Sequence, residues 1–172
     1  MTTDLDRDGL SRLAGQIDRL IAIQDIERLI LDQFDAADCG DFDRQADLLG
    51  RAHVRYEHGD HILLDVNNRD DFKEAIVAAT RIYEDGTPRA HHVVSNVIVD
   101  VEDSLQRARS RCYTTVFRAT EDFPLQPIAC GVFHDMFDRD DGGWFFVDRL
   151  GLMRLGGTPS PPGVESSSGR AG

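Results

Sequence analysis

The apolar positions of residues 9–38 repeat with helical spacing, but they form two sets that face in different directions. At about 100° per residue, the second set lies roughly half a turn around the helix from the first. The first set is Leu10, Leu13, Ile17 and Leu20, and the second set is Ile26, Leu29, Ile30, Phe34 and Ala37. A straight helix would then be buried on opposite sides at its two ends. The pattern therefore predicts two helices, or one helix with a sharp kink near Ile21.

Turn and cap residues divide the following part of the chain into short elements. Gly40 is expected to end the first helical segment, and Asp41 to cap a short helix that runs through Leu49. A third helix is predicted over residues 67–83, with one of the two asparagines at its start as the cap. The glycine and the proline that follow this segment are residues that end helices.

The hydrophobic periodicity changes from helical to strand-like in the second half of the chain. Two short strands are predicted before this change, over residues 52–58 and 62–66, with a turn between them. Long alternating runs then cover residues 91–102, 107–119, 127–139 and 144–154. Since helices come first and strands joined by hairpin turns come second, the pattern predicts an α+β fold with a mostly antiparallel sheet.

The charge and composition exclude several classes of partner. The chain has 172 residues and a formal net charge of −12 at pH 7. Nucleic acid and anionic membrane surfaces both require a basic face, so neither is an expected partner. No apolar run approaches the roughly 20 residues of a membrane-spanning helix.

The length and the residue usage suggest a domain organisation and a compartment. Residues 1–156 are expected to form a single domain, and the glycine-, proline- and serine-rich residues 157–172 a disordered tail. The three cysteines lack CxxC spacing and the first residues lack the features of a signal peptide. We therefore expect free thiols and a cytoplasmic protein.

Two residues stand out as candidate catalytic groups. Asp38 follows an apolar helical segment, and His92 lies at the start of an apolar strand. A carboxylate that orients an imidazole forms a compact general base, because it selects the tautomer and stabilises the imidazolium that forms. Each residue also has an ordinary structural interpretation: Asp38 as a polar residue at a helix end, and His92 as a buried histidine. The neighbouring His91 is the competing choice for the base.

Three stretches of sequence carry a family resemblance: residues 26–42, 92–100 and 131–149. Their order and spacing, after leading helices, resemble the SnoaL-like group of the nuclear-transport-factor-2-like (NTF2-like) superfamily, which includes scytalone dehydratase and hexachlorocyclohexane dehydrochlorinase. The resemblance covers roughly residues 20–156. It implies a cone-shaped, curved, mixed sheet, mostly antiparallel, with N-terminal helices packed on its concave face around an apolar pocket. It also implies that Asp38 and His92 form the catalytic pair.

The sequence departs from the dehydratase at other pocket positions. Ala37 stands where the dehydratase has a tyrosine, and the dehydratase's second pocket histidine falls near Phe117. Its late serine and asparagine fall near Gly131 and Phe133. The resemblance thus implies proton abstraction in an apolar pocket, and not dehydration specifically.

A set of side chains is expected to contact a substrate. Strand alternation places Tyr56 and His58 on the same side as Val54, towards the interior. Arg149 interrupts an apolar strand, where a guanidinium needs a ligand oxygen or an acidic partner such as Asp135 or Asp148. The predicted substrate-binding residues are Tyr56, His58, Asn96, Phe133 and Arg149.

No metal or cofactor is predicted. His58-Gly59-Asp60 matches part of an iron-binding facial triad, but the leading helices and the few strands do not fit the fold that such a triad requires. The chain has no glycine-rich phosphate loop and no zinc-ligand spacing.

The sequence therefore predicts a cofactor-independent acid–base enzyme that acts on a small, largely apolar, cyclic or polyketide-like molecule. Elimination, isomerisation and cyclisation are all open as reaction types. His92 would remove a proton, Asp38 would orient His92, and Tyr56 or another donor would bind the developing oxyanion. The alternative is a non-catalytic ligand-binding or assembly module, such as the small subunit of ring-hydroxylating dioxygenases. A homodimer or homotrimer is expected in either case.

Overall fold

The computed structural model describes residues 7–120 and 123–156, and within these ranges it contains three helices and six strands. The tail predicted over residues 157–172 lies outside the described residues. The helices are α1 (Arg7–Cys39), α2 (Phe42–Leu49) and α3 (Arg69–Ala79), and the strands are β1 (His53–His58), β2 (His61–Val66), β3 (Ala90–Val101), β4 (Arg107–Thr120), β5 (Phe123–Asp140) and β6 (Gly143–Gly156).

The six strands form one mixed sheet in the order β2-β1-β6-β5-β4-β3. Every neighbouring pair is antiparallel except β1 and β6, which run parallel. The sheet is not closed, and the helices come before its four long strands. The predicted α+β, cone-shaped fold is confirmed. No helix of the described part is both long and apolar enough to cross a lipid bilayer.

Helix α1 is one uninterrupted helix of 33 residues, so the prediction of two helices or a kink near Ile21 is wrong. The two apolar sets have different environments in the structure. Ile26, Ile30 and Phe34 of the second set are buried. In the first set, Leu20 is 66% exposed, and each of the other three residues is about half exposed. Because the first set is not packed into the core, the helix does not need to turn a second face inwards.

A glycine and two capping side chains mark the ends of the helices. Gly40 ends α1 with a φ of +74°, and the Asp41 side chain accepts a hydrogen bond from the Arg44 amide at the start of α2. Asn68 caps α3 by accepting from the Asp71 amide at 2.9 Å. Helix α3 ends at Ala79, so the segment predicted as helix up to residue 83 is shorter than expected.

The core lies between the helices and the inner face of the sheet. Helix α1 packs against β3 and β6, while α2 packs against α1, α3 and β6. The largest fully buried apolar side chains are Phe72, Phe137, Phe146, Ile26, Ile30, Leu49 and Val54. The core therefore joins residues that are far apart in the sequence, and it holds the last turns of α1 over the sheet.

Substitutions at two adjacent residues of α1 test this packing. We expect Ile30→Ala, at a fully buried position, to lower the free energy of unfolding by about 2–5 kcal/mol, because it leaves a cavity in the core. The matched change Leu31→Ala, at a position 51% exposed, should cost less than about 1 kcal/mol. Urea denaturation measures both values, and equal losses would contradict the described face of α1.

Candidate functional site

A cavity of about 280 Å³ lies between the helices and the sheet. Most of its wall is carbon, contributed by both layers. The apolar lining includes Phe34, Ala37, Phe42, Leu63, Ile76, Val116, Phe133, Leu152 and Met153. The polar lining includes Gln33, Gln45, Tyr56, Glu57, Thr80, His92, Thr114 and Arg118. A largely apolar cavity with a few polar groups is typical of a small-molecule site.

The Asp38 carboxylate binds His92 through two hydrogen bonds. Its Oδ1 lies 2.5 Å from the imidazole Nδ1, and its Oδ2 accepts from the backbone N–H of His92 at 2.8 Å. Asp38 is in the last turn of α1 and its side chain is 11% exposed, while that of His92 is 23% exposed. Because a carboxylate accepts hydrogen bonds, Nδ1 carries the proton and Nε2 is left with its lone pair. The expected contact is present, and the catalytic role of the pair stays a prediction.

His92, and not His91, faces the cavity. Neighbouring side chains of a strand point to opposite faces of a sheet. His92 lines the cavity, whereas the His91 side chain is 76% exposed, although its Nδ1 lies 3.1 Å from Asp38 Oδ2. The Phe34 ring packs 5.1 Å from the His92 ring, centroid to centroid. The imidazole is thus held by a carboxylate at one edge and by an aromatic ring at its face.

Tyr56 and Phe133 form an aromatic wall of the cavity. Their rings meet edge to face at 5.8 Å, and Phe133 meets Phe34 in the same way at 5.2 Å. Gly151 on β6 makes room for this pair, because a Cβ there would lie 2.7 Å from the Phe133 ring and 2.8 Å from the Tyr56 ring. Burial raises the pKa of the Tyr56 phenol, and the nearby Arg149 guanidinium partly opposes this rise. Tyr56 is therefore a hydroxyl donor and not a phenolate.

Arg149 and Asp135 form a buried charged pair behind this wall. They are opposite residues of β6 and β5, their side chains have no exposed surface, and Arg149 Nη1 lies 3.7 Å from Asp135 Oδ1. The guanidinium carbon lies 4.4 Å from the centre of the Phe133 ring and 4.9 Å from that of Phe34. Of the two acidic partners considered for Arg149, the structure therefore selects Asp135. The aromatic rings stand between Arg149 and the cavity, which it does not line.

Three residues predicted to contact a substrate do not line the cavity, namely Arg149, His58 and Asn96. His58 is exposed at the end of β1, whereas its neighbour Glu57 lines the cavity. Asn96 is exposed in a bulge of β3, where its φ is +52°. This bulge shifts the alternation of β3 by one residue, so counting in steps of two fails beyond it.

Sequence reasoning missed several polar residues of the lining, of which Gln33 is the most buried. Gln33 is 2% exposed and lies in the inward stripe of α1 with Ile26, Ile30 and Ala37. A polar side chain inside an apolar helical stripe was the available signal. Glu57 and Arg118 gave no comparable signal, because charged residues near strand ends are usually exposed at the surface.

The described residues contain no group of three or more histidine, cysteine, aspartate or glutamate side chains placed to hold a metal ion. His58 and Asp60 of the possible iron motif are both exposed, at the turn between β1 and β2.

The cone-shaped fold, with a largely apolar cavity between its helices and its sheet, is that of an NTF2-like protein. The sequence profile of the SnoaL-like domain matches residues 18–149. The chain therefore belongs to the SnoaL-like domain family, as the three stretches of sequence predicted. A search of proteins with curated functions gives no significant match.

Solved structures share the fold at low sequence identity. An NTF2-like protein with a cystatin-like fold from Novosphingobium aromaticivorans is 22% identical, with a TM-score of 0.66 over 86% of this chain and 91% of that chain. A candidate scytalone dehydratase from the same organism is 20% identical, with a TM-score of 0.63 over 81% and 89%. The beta subunit of a candidate aromatic-ring-hydroxylating dioxygenase, also from that organism, is 12% identical, with a TM-score of 0.66 over 80% and 92%. At these identities the likeness establishes the fold alone.

The buried pair behind the cavity gives a pH prediction. Burial raises the pKa of Asp135 from its ordinary value of 3.8 to about 6, against the opposing effect of Arg149. Between these two values the folded protein holds a proton that the unfolded chain releases, so this group's contribution to stability falls as pH rises. We expect the wild type to lose stability relative to Asp135→Asn between pH 4 and pH 6.5, because asparagine does not ionise. Denaturation of both proteins across this range measures the difference, and a gain by the wild type would contradict the raised pKa.

Proposed function

We propose that this protein is a cofactor-independent acid–base enzyme that removes a proton from a small, largely apolar, cyclic or polyketide-like molecule. The single observation that supports this most strongly is the double hydrogen bond from Asp38 to His92 at the wall of an apolar cavity. The two bonds fix both the position of the backbone and the tautomer of the ring. His92 is thereby prepared to accept a proton at Nε2.

In the proposed reaction, the substrate packs against the rings of Phe34 and Phe133, with an acidic C–H directed at His92. Nε2 takes the proton, and the imidazolium that forms is stabilised by the Asp38 carboxylate at Nδ1. A positioned base of this kind contributes roughly 10²–10⁴ in rate. In isomerisation the proton returns to another carbon of the substrate. In cyclisation the carbanion adds to a carbonyl carbon of the same molecule, and the proton goes to the alkoxide that forms. In elimination a carbon–carbon double bond forms while the bond to the leaving group breaks, and the leaving group takes the electron pair and the proton.

The negative charge that develops on the substrate needs a donor. Tyr56 lines the cavity and keeps its proton, because burial raises the pKa of its phenol. A hydroxyl held in a water-poor cavity stabilises an enolate oxygen more strongly than the same hydroxyl would in water. The guanidinium of Arg149 lies behind the aromatic wall, where the Asp135 carboxylate offsets its positive charge. Tyr56 is therefore the proposed oxyanion donor.

A ligand-binding module without turnover is the second candidate. The observation in its favour concerns Ala37, Gly131 and Phe133, which stand at or near the positions of the dehydratase's tyrosine, serine and asparagine. These three residues line the cavity without a side-chain hydroxyl, carboxamide or charge. The similar fold of a candidate dioxygenase beta subunit is compatible with such a role. The tests below separate the two candidates, because a binding module has no need of a base.

A homo-oligomer, either a dimer or a trimer, remains part of the proposal. Large apolar side chains are exposed on β3, β4 and β5, including Val93, Ile98, Tyr113 and Met136. Exposed apolar patches of this kind mark interaction surfaces in soluble proteins.

Hydrogen–deuterium exchange of a ring ketone tests the base without knowledge of the natural substrate. We expect the wild type to accelerate the exchange of the C1 protons of 2-tetralone in D₂O, followed by proton NMR. His92→Ala should reduce this acceleration by roughly 10²–10⁴, because it removes the imidazole that takes the proton. His91→Ala is the matched control and should keep most of the rate, since His91 points away from the cavity. An unimpaired His92→Ala, shown to be folded, would mean that another residue is the base.

Asp38→Asn tests the orienting role separately. Asparagine has one acceptor oxygen, whereas the Asp38 carboxylate accepts from both the backbone N–H and the Nδ1–H of His92. We expect the exchange rate to fall, but less than in His92→Ala, because the imidazole is still present. The ¹⁵N chemical shifts of the His92 ring should show protonated Nδ1 in the wild type and more protonated Nε2 in the variant. Identical ring spectra would show that Asp38 does not select the tautomer.

A further inference from the structure

Gln33 has an unsatisfied hydrogen-bonding group at the wall of the cavity. Its side chain is 2% exposed, it lines the cavity, and no described residue donates a hydrogen bond to its buried Oε1. Buried side-chain oxygens are nearly always bonded, and an unbonded one lowers stability. Leucine or methionine would fill the same place in the apolar stripe of α1 without this cost. An orphaned acceptor at a cavity wall indicates a ligand that supplies the missing donor.

The position of Gln33 relative to the proposed base limits the kind of ligand. Gln33 precedes Asp38 by five residues on one continuous helix, which separates their backbones by about 7.5 Å along the axis. Phe34 follows Gln33 in the chain, and its ring packs against the rings of both His92 and Phe133. A ligand that reaches from His92 to Gln33 therefore runs along an aromatic wall. Two fused six-membered rings have the length and the flat faces for this path.

The charge of the surroundings favours a neutral donor on the ligand. The buried charges nearest the aromatic wall, Arg149 and Asp135, are paired with each other behind it. Glu57 and Arg118 are the charged side chains among the described lining residues. The Gln33 carboxamide carries no net charge, so it does not itself compensate a charged ligand group, whose burial would be costly. A hydroxyl supplies one donor and avoids that cost.

We propose that Gln33 is a specificity-determining residue, and that its Oε1 accepts a hydrogen bond from a hydroxyl group on a bicyclic ligand whose opposite end lies at His92. The inference rests on the proposed function for the role of His92, whereas the hydroxyl contact requires only that the cavity binds the ligand. A site built to bond a hydroxyl rejects analogues that lack it, because its own polar group is then left unpaired.

A double-mutant cycle between protein and ligand tests the contact. The proteins are the wild type and Gln33→Met, since methionine is similar in length and cannot accept this bond well. The probes are 2-naphthol and 2-fluoronaphthalene, because fluorine is close to hydroxyl in size but donates no hydrogen bond. Isothermal titration calorimetry gives the four dissociation constants. We expect the wild type to prefer 2-naphthol by about tenfold or more, and Gln33→Met to reduce that preference to about threefold or less.

Two further variants test whether the preference for 2-naphthol depends on Gln33 specifically. Gln24→Met makes the same change on the exposed face of α1, outside the lining, and should leave the preference for 2-naphthol unchanged. His92→Ala should also keep the preference while losing proton exchange on 2-tetralone. A Gln33-dependent preference without any exchange by the wild type would support the hydroxyl contact and overturn the proposed function. Proton exchange by the wild type without a Gln33-dependent preference would support the proposed function and overturn the hydroxyl contact.

The inference is overturned by an equal preference in the wild type and in Gln33→Met, or by no binding of 2-naphthol to the wild type at millimolar concentration. Folding of Gln33→Met is checked by urea denaturation and near-ultraviolet circular dichroism. We expect this variant to be at least as stable as the wild type, because it removes an unpaired buried oxygen.

Discussion

The arrangement of the site depends on the Asp38 carboxylate, which joins the last turn of α1 to the start of β3. Its two oxygens bind the backbone N–H and the imidazole of His92, 54 residues further along the chain. Both bonds require α1 to cross the inner face of the sheet and to end, at Gly40, within reach of β3. The residues that precede Asp38 on the same helix are thereby placed along the cavity, among them Phe34 and Gln33.

The aromatic wall connects this contact to the interior of the sheet. Phe34 packs against both His92 and Phe133, and Phe133 packs against Tyr56. Behind these rings, Arg149 and Asp135 are fully buried at opposite positions of neighbouring strands. A buried charged pair contributes little net stability when its desolvation is counted. Aromatic rings separate this pair from the cavity, and the guanidinium carbon of Arg149 lies 4.4 Å from the centre of the Phe133 ring.

The fold was largely predictable, because the features that determine it are local. The four long strands begin and end within a few residues of the predicted runs, and Asp41 caps a helix as expected. The candidate site was predictable in part. Asp38 and His92 meet as the resemblance implied, and Tyr56 and Phe133 line the cavity, while Arg149 lies behind it and His58 and Asn96 lie outside it. The catalytic role of these residues stays a prediction.

The sequence by itself determined the order of helices and strands and the turns and caps, because periodicity, glycine and cap chemistry act over a few residues. Only the tertiary structure decided which side chains face the cavity. A bulge after Ser95 shifts the alternation of β3, and such a shift depends on pairing with a neighbouring strand. Helix α1 likewise keeps an exposed apolar stripe near its start, because burial is set by the elements packed against a helix and not by its own periodicity.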